Sequence, residues 1–234
     1  MDTGWRQPGL PSPSLSDARS QEDNLLKVGL TGGIASGKSV VGAMFTDLGV
    51  HLIQSDKVAH ELIEPGGAAY DKVVAQFGTG ILNPDRTINR ARLAEAAFGG
   101  AASSRIEQLN RIVHPAVIER ENAWMESLGR RDPDGIAMVE AALILEARSA
   151  GRFDRLVVVT CRPEQRISRW AARVGVDMET ARREVTRRAA AQLPEEEKVR
   201  AADYVIDNSG SLEETRKQVA EIYEKLRRRE VQKA

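Results

Sequence analysis

The chain has 234 residues, enough for one large domain or for a core carrying inserted subdomains. Its 34 Lys and Arg balance 34 Asp and Glu, so no overall basic charge argues for a nucleic-acid partner. No apolar run reaches bilayer length and the single Cys161 cannot form an intrachain disulfide; a cytoplasmic protein with no membrane partner is expected.

Residues 1–24 are rich in Pro, Ser, Gly and Gln without helical or strand period, which predicts a disordered extension. Folded structure is expected over 25–234, opening on the apolar run Lys27–Thr31. Next come Gly32, Gly33, Ile34, Ala35, Ser36, Gly37, Lys38 and Ser39, which complete the phosphate-loop pattern G-x-x-x-x-G-K-[ST]. Chance supplies that pattern in roughly one chain in a hundred of this length, so the flanking strand and helix carry the weight. The helix is predicted over Val40–Leu48. Such a loop turns backbone N–H groups around an anion, at a helix N-terminus that adds partial positive charge. Residues Gly33 to Val40 are therefore the candidate nucleoside triphosphate site, with Lys38 reaching the β- and γ-phosphates and Ser39 ligating Mg²⁺.

Further strands are predicted at Val50–Ile53, Ile136–Val139, Leu156–Val159 and Tyr204–Ile206. Apolar runs without alternation suit strands covered on both faces. Five of them, separated by helices, predict an α/β fold with a doubly wound, mostly parallel sheet. Helices are expected over Val58–Ile63, Ala68–Phe77 (closed by Gly78), Asn89–Phe98 (closed by Gly99-Gly100) and Ser103–Val113, with Pro115 opening another over Ala116–Leu128. This block reads as a helical insert for a second substrate. A second excursion, Arg162–Ala202, is rich in arginine. The last helix opens on the capping box Ser211-x-x-Glu214.

Behind the second strand stands Gln54-Ser55-Asp56-Lys57. An acid at that end of a strand faces the ligand crevice of an open sheet, where Asp56 can deprotonate an attacking hydroxyl. The competing reading is that Ser55 or Asp56 merely caps the helix. His60, one turn on, suits a structural role. Arg166, Arg169 and Arg173 share one helix face and can contact the oxygens of a transferring phosphoryl group from a closing lid.

In the family's order, several stretches resemble dephospho-coenzyme A kinases. They are Leu30 to Ser39, Ser55 to Leu62, Glu64 to Tyr70, Phe77-Gly78-x-x-Ile81-Leu82, Asn89-Arg90-x-x-Leu93, His114-Pro115, Ala190-Ala191-Gln192, Glu197-Lys198 and Ala202 to Gly210. The resemblance implies a phosphate-loop kinase that uses ATP and Mg²⁺ to phosphorylate the ribose 3′-hydroxyl of dephospho-coenzyme A, the last step of coenzyme A synthesis. It implies three parts: a nucleotide core (25–60, 136–161 and 203–234), a helical substrate part (61–135) and a lid (162–202). By position, Asp56 becomes the catalytic base and Arg169 and Arg173 lid arginines. Asp56 and His114 fall to the substrate, and Asn208 to the loop approaching the adenine.

Three positions depart from the family's pattern. Gln54 replaces the first of two acids after the second strand, leaving Glu140 or Ser39 to support Mg²⁺. Ala35 replaces a usual Gly, which is tolerated if φ there is negative. Ala141 to Glu146 replaces a Pro-Leu-Leu-Phe-Glu element and changes pocket shape. The alternatives are another small-molecule kinase, of the nucleoside monophosphate or shikimate type, and an ATPase switch. The helical insert argues against the first, and the missing Asn-Lys-x-Asp against a GTPase form of the second.

Overall fold

All five apolar runs become parallel strands of one sheet, in the computed structural model describing residues 24–98 and 104–229. They are β1 (Leu26–Gly32), β2 (His51–Gln54), β3 (Ile136–Glu140), β4 (Arg155–Thr160) and β5 (Tyr204–Asp207), ordered β2-β3-β1-β4-β5. Apart from Asn24, the expected extension lies outside the described residues, as does the glycine pair expected to end the Asn89–Phe98 helix. Within the described residues no helix is long and apolar enough to cross a membrane.

Because successive residues of a strand point to opposite faces, each apolar run serves two layers. Val28, Leu30, Met138, Val157 and Val159 turn toward Val41 and Phe45 of α1 (Lys38–Asp47) and Val219, Ile222 and Leu226 of α9 (Leu212–Arg227). On the opposite face, Ala137 and Val139 meet Met125 and Leu128 of α5 (Ser104–Arg131), and Leu156 and Val158 meet Ile144. Parallel strands end on one edge, so Gly32, Gln54, Glu140, Thr160 and Asp207 all point their chain direction at the same crevice. The register sets Gln54 directly beside Glu140.

Between β2 and β3 run α2 (Ser55–Leu62), α3 (Tyr70–Phe77), α4 (Arg90–Phe98) and α5, as the spacing predicts. They bury a core of their own around Ile63, Tyr70, Val73, Ile81, Ile88 and Leu93. Gly78 ends α3 at φ +82° and ψ 168°, a positive-φ conformation open to glycine but not the left-handed helical one of the usual cap. Between β4 and β5 come α6 (Pro163–Val174), α7 (Met178–Ala189) and α8 (Glu195–Ala201). Ile167, Trp170, Ala171, Ala181 and Val185 bind α6 to α7, and Ile34 and Ala35 of the phosphate loop pack against them. The capping box forms as read, with Ser211 and Glu214 exchanging hydrogen bonds.

One expectation is overturned. Pro115 opens no new helix: it lies inside the 28-residue α5, which runs through both segments expected to be separate. Proline removes one backbone donor, to the carbonyl four residues earlier, but does not forbid helix when both halves are held by packing. Here Leu109, Ile112, Val113 and Ala116 pack on the insert's core, while Met125 and Leu128 pack on the sheet. An interior Pro costs about 3 kcal/mol against Ala, and the freer unfolded chain of an Ala variant returns roughly 0.4–1 kcal/mol. Pro115→Ala should therefore raise unfolding free energy by about 1 kcal/mol or more in urea titration; a loss of stability would contradict the packing account.

Candidate active site

Backbone geometry builds the centre. At the end of β1 the chain passes so close to β4 that a Cβ on Gly32 would lie 2.2 Å from the Val159 carbonyl oxygen. Only glycine fits there. At the other end, Gly37 is the N-cap of α1 with φ +95°, a left-handed conformation that L side chains disfavour. Between them Ser36 N–H donates to Gly33 O at 3.2 Å, closing a tight turn, and Val40 stands exposed in the first turn of α1.

Ala35 needs a correction. Its φ is +54°, not negative, so the methyl that replaces a glycine hydrogen sits in the left-handed region. That conformation costs an L-residue roughly 1–2 kcal/mol. The partial compensation is visible: Ala35 is half-buried against the α6–α7 core.

Lys38 folds over the loop it follows, its Nζ donating to the carbonyls of Gly32 and Gly33 at 3.0 and 3.1 Å. Burial drives its pKa down to about 8. Glu140 and Asp56 oppose that shift, while Lys198 and Arg173 reinforce it. One ammonium therefore feels the acid of β3, the acid of α2 and the cations of α6 and α8 at once. Ser39 Oγ donates to Glu140 Oε1 at 2.6 Å, and Gln54 Nε2 donates to Glu140 Oε2 at 2.7 Å. The acid beside the loop is thus Glu140, and Gln54 serves as its hydrogen-bond donor. Ser39 and Glu140 supply hard oxygen donors, which fit a Mg²⁺ that takes its remaining ligands from phosphates and water.

Asp56 lies exposed in the first turn of α2, and neither it nor Ser55 caps that helix. Ser55 Oγ instead donates to Glu121 Oε1 at 2.5 Å. Asp56 lines a pocket of about 380 Å³ between the insert and the sheet edge, together with His60, His114, Glu121 and Arg152. Leu93, Leu109, Val113, Val117 and Ile118 form its apolar wall. Burial lowers the His114 pKa against the opposing charge of Glu121, keeping the imidazole neutral at pH 7. Glu121 is 2% exposed and pairs with Arg152 at 2.9 Å. Sequence reading missed this pair. The available signal was a lone acid on the apolar stripe His114, Val117, Ile118, Glu121, spaced as one face of a helix.

The arginines diverge. Arg166 pairs with Glu195 of α8. Arg169 donates to Ser36 O at 3.2 Å and Asn208 O at 2.9 Å. Arg173 stacks 4.6 Å from the Trp170 ring, as does Arg188. Asn208 is buried behind the loop, its amide bonded to Ser36 O and Thr215 Oγ1.

A parallel sheet with a glycine loop closing on a helix N-terminus, an oxygen-donor pair beside it and an acid at a pocket mouth defines a phosphate-loop kinase. The sequence profile of dephospho-CoA kinases matches residues 26–214. The chain is 38% identical over 200 residues to the dephospho-CoA kinase of Leifsonia xyli, covering 86% of this chain and 98% of that protein. It is 40% identical over 198 residues to that of Carboxydothermus hydrogenoformans, covering 85% and 93%. A crystal structure from Thermus thermophilus superposes with a TM-score of 0.70 at 30% identity, covering 86% of this chain and 98% of that one. The protein belongs to the dephospho-CoA kinase family.

The lowered pKa implies a charge held at a cost. A Lys whose folded pKa lies below its unfolded value destabilises the fold fully below about pH 8, and the cost fades as pH rises toward 10.5. Lys38→Met should stabilise the ligand-free protein by on the order of 1–2 kcal/mol at pH 7. It should also flatten the rise of stability with pH over that window while removing activity; thermal melts from pH 7 to 10.5 measure both.

Proposed function

We propose that the chain transfers the γ-phosphoryl group of ATP to the ribose 3′-hydroxyl of dephospho-CoA, giving CoA and ADP. The observation that carries this reading is the place of Asp56, which lines the insert's pocket while its charge is felt at Lys38 of the phosphate loop. A base between acceptor and donor is what in-line transfer requires. Residues 61–135 are the acceptor part, 162–202 the lid, and 25–60, 136–161 and 203–234 the nucleotide core. ATP and dephospho-CoA are its partners, with no nucleic acid or membrane involved, and its setting is the cytoplasm.

In this reading the loop from Gly33 to Val40 holds the triphosphate, and Lys38 leaves the Gly32 and Gly33 carbonyls for the β- and γ-oxygens. Asp56 accepts the proton of the 3′-hydroxyl as its oxygen bonds to the γ-phosphorus. The bond from that phosphorus to the β,γ-bridging oxygen breaks, and ADP leaves. Ser39 and Glu140 hold Mg²⁺, whose contribution when bound is to offset charge on the β- and γ-oxygens. Arg169 and Arg173 add positive charge from the lid, whose closing excludes water as a competing acceptor. The apolar wall and neutral His114 suit an acceptor with a long uncharged arm.

The test pairs a variant with an acceptor series. Mg²⁺-dependent ADP release should require dephospho-CoA and fail with AMP, shikimate or no acceptor; release indifferent to acceptor would establish an ATPase instead. Asp56→Asn should lower kcat about 10²–10⁴-fold with ATP affinity nearly intact, and wild-type turnover would remove Asp56 from the base role.

A further inference from the structure

The phosphate loop works only if its N–H groups face inward, and something must hold them there. A trans peptide points its C=O and N–H in opposite directions, and no cis bond occurs among the described residues. Whatever grips the Ser36 carbonyl from outside therefore sets the direction of the Gly37 N–H inside. Two donors grip it: Asn208 Nδ2 at 2.9 Å and Arg169 Nη1 at 3.2 Å.

The grip is itself rigid. Asn208 is 3% exposed, and Thr215 Oγ1, fully buried, donates to its Oδ1 at 3.0 Å. The Ser36 carbonyl can only accept, so the amide must turn its NH₂ toward it, which leaves Oδ1 facing the Thr215 hydroxyl. The Asn208 backbone is tied as well, its N–H to Thr160 O and its carbonyl to Arg169 Nη2, both at 2.9 Å. Gly37 records the closeness: a Cβ there would fall 2.1 Å from Asn208 Nδ2. Glycine is thus required twice at that position, for φ and for the space the amide fills.

We propose that Asn208 is a positioning residue for the phosphate loop, holding the Ser36–Gly37 peptide so that the Gly37 N–H faces the bound phosphates. Its side chain faces the loop rather than a base: it is 3% exposed, with Nδ2 held to the Ser36 carbonyl and Oδ1 to Thr215. The inference rests on the reading of the loop as the triphosphate site, and it deepens that reading by naming what pre-organises it. Arg169 joins Asn208 in this work from the lid helix, so a lid residue also holds the loop's shape.

Asn208→Asp keeps volume and leaves Thr215 its acceptor, but sets a carboxylate oxygen against the Ser36 carbonyl where a donor stood. Calorimetric titration with Mg²⁺ present should use inorganic tripolyphosphate, ATP, GTP and, separately, dephospho-CoA. In the variant, Kd for tripolyphosphate and for ATP should rise at least tenfold by the same factor, while dephospho-CoA binds within twofold of wild type. A loss confined to ATP would assign Asn208 to the base and overturn the proposal. Unchanged tripolyphosphate affinity, or an equal loss for dephospho-CoA, would overturn it too. Wild-type protein that ignores tripolyphosphate would instead remove the loop reading on which the proposal stands. Should Asn208→Asp not fold, Thr215→Val carries the same test, because it frees Oδ1 and lets the amide turn; the same shared loss at smaller size is expected.

Discussion

Everything in this molecule is arranged around a backbone that has to come within contact of a highly charged ligand without side chains in the way. At Gly32 the chain touches β4 so closely that one added carbon would strike the Val159 carbonyl. That constraint fixes β1 at the sheet centre, between β3 and β4. The centre is where two neighbours can each deliver a group to the same point. From β3 comes Glu140, beside Ser39. The end of β4 gives Thr160, whose carbonyl receives the Asn208 N–H from the end of β5 and so brings Asn208 behind the loop. The loop is not a flexible strip awaiting its ligand but a turn clamped from outside.

How far the sequence disclosed this depends on the range of each interaction. The strands were legible because a run buried on both faces leaves a purely local mark, and the loop because its glycines, Lys38 and Ser39 lie within eight consecutive positions. The helix boundary at Pro115 was misread because proline's local preference yields when packing holds both flanks, and packing is not local. The side chains coordinating the site were largely invisible. Gln54 looked like a missing acid until the β2–β3 register set it against Glu140. Thr215 gave no signal at all. Its function arises only because α9 returns under the loop seven residues after Asn208.

Two features show stability given up where the ligand will sit. Ala35 occupies a left-handed conformation that costs roughly 1–2 kcal/mol, offset in part by its contact with the lid core. Lys38 keeps an ammonium where burial resists it, with its pKa drawn down to about 8. Neither helps the ligand-free fold. The Lys38 cost makes sense if incoming phosphate charge satisfies the ammonium, so that binding recovers what folding lost there. The two costs also differ in kind: strain at Ala35 is independent of pH, whereas the Lys38 term fades above pH 8.

The three lid arginines, equivalent by spacing, are not equivalent in place. Arg166 is spent on Glu195 and Arg169 on the loop's outer carbonyls. Arg173 alone rests on an aromatic face, a contact worth about 0.5–1 kcal/mol at an exposed site, and its charge is felt at Lys38. Weakly held and within electrostatic range of Lys38, it is the α6 arginine with the least to give up on moving. Arg169 would have to abandon two backbone carbonyls, one of them half of the clamp that aims the loop. Arg169 and Arg173 thus differ in what holds them, two backbone carbonyls against one aromatic face.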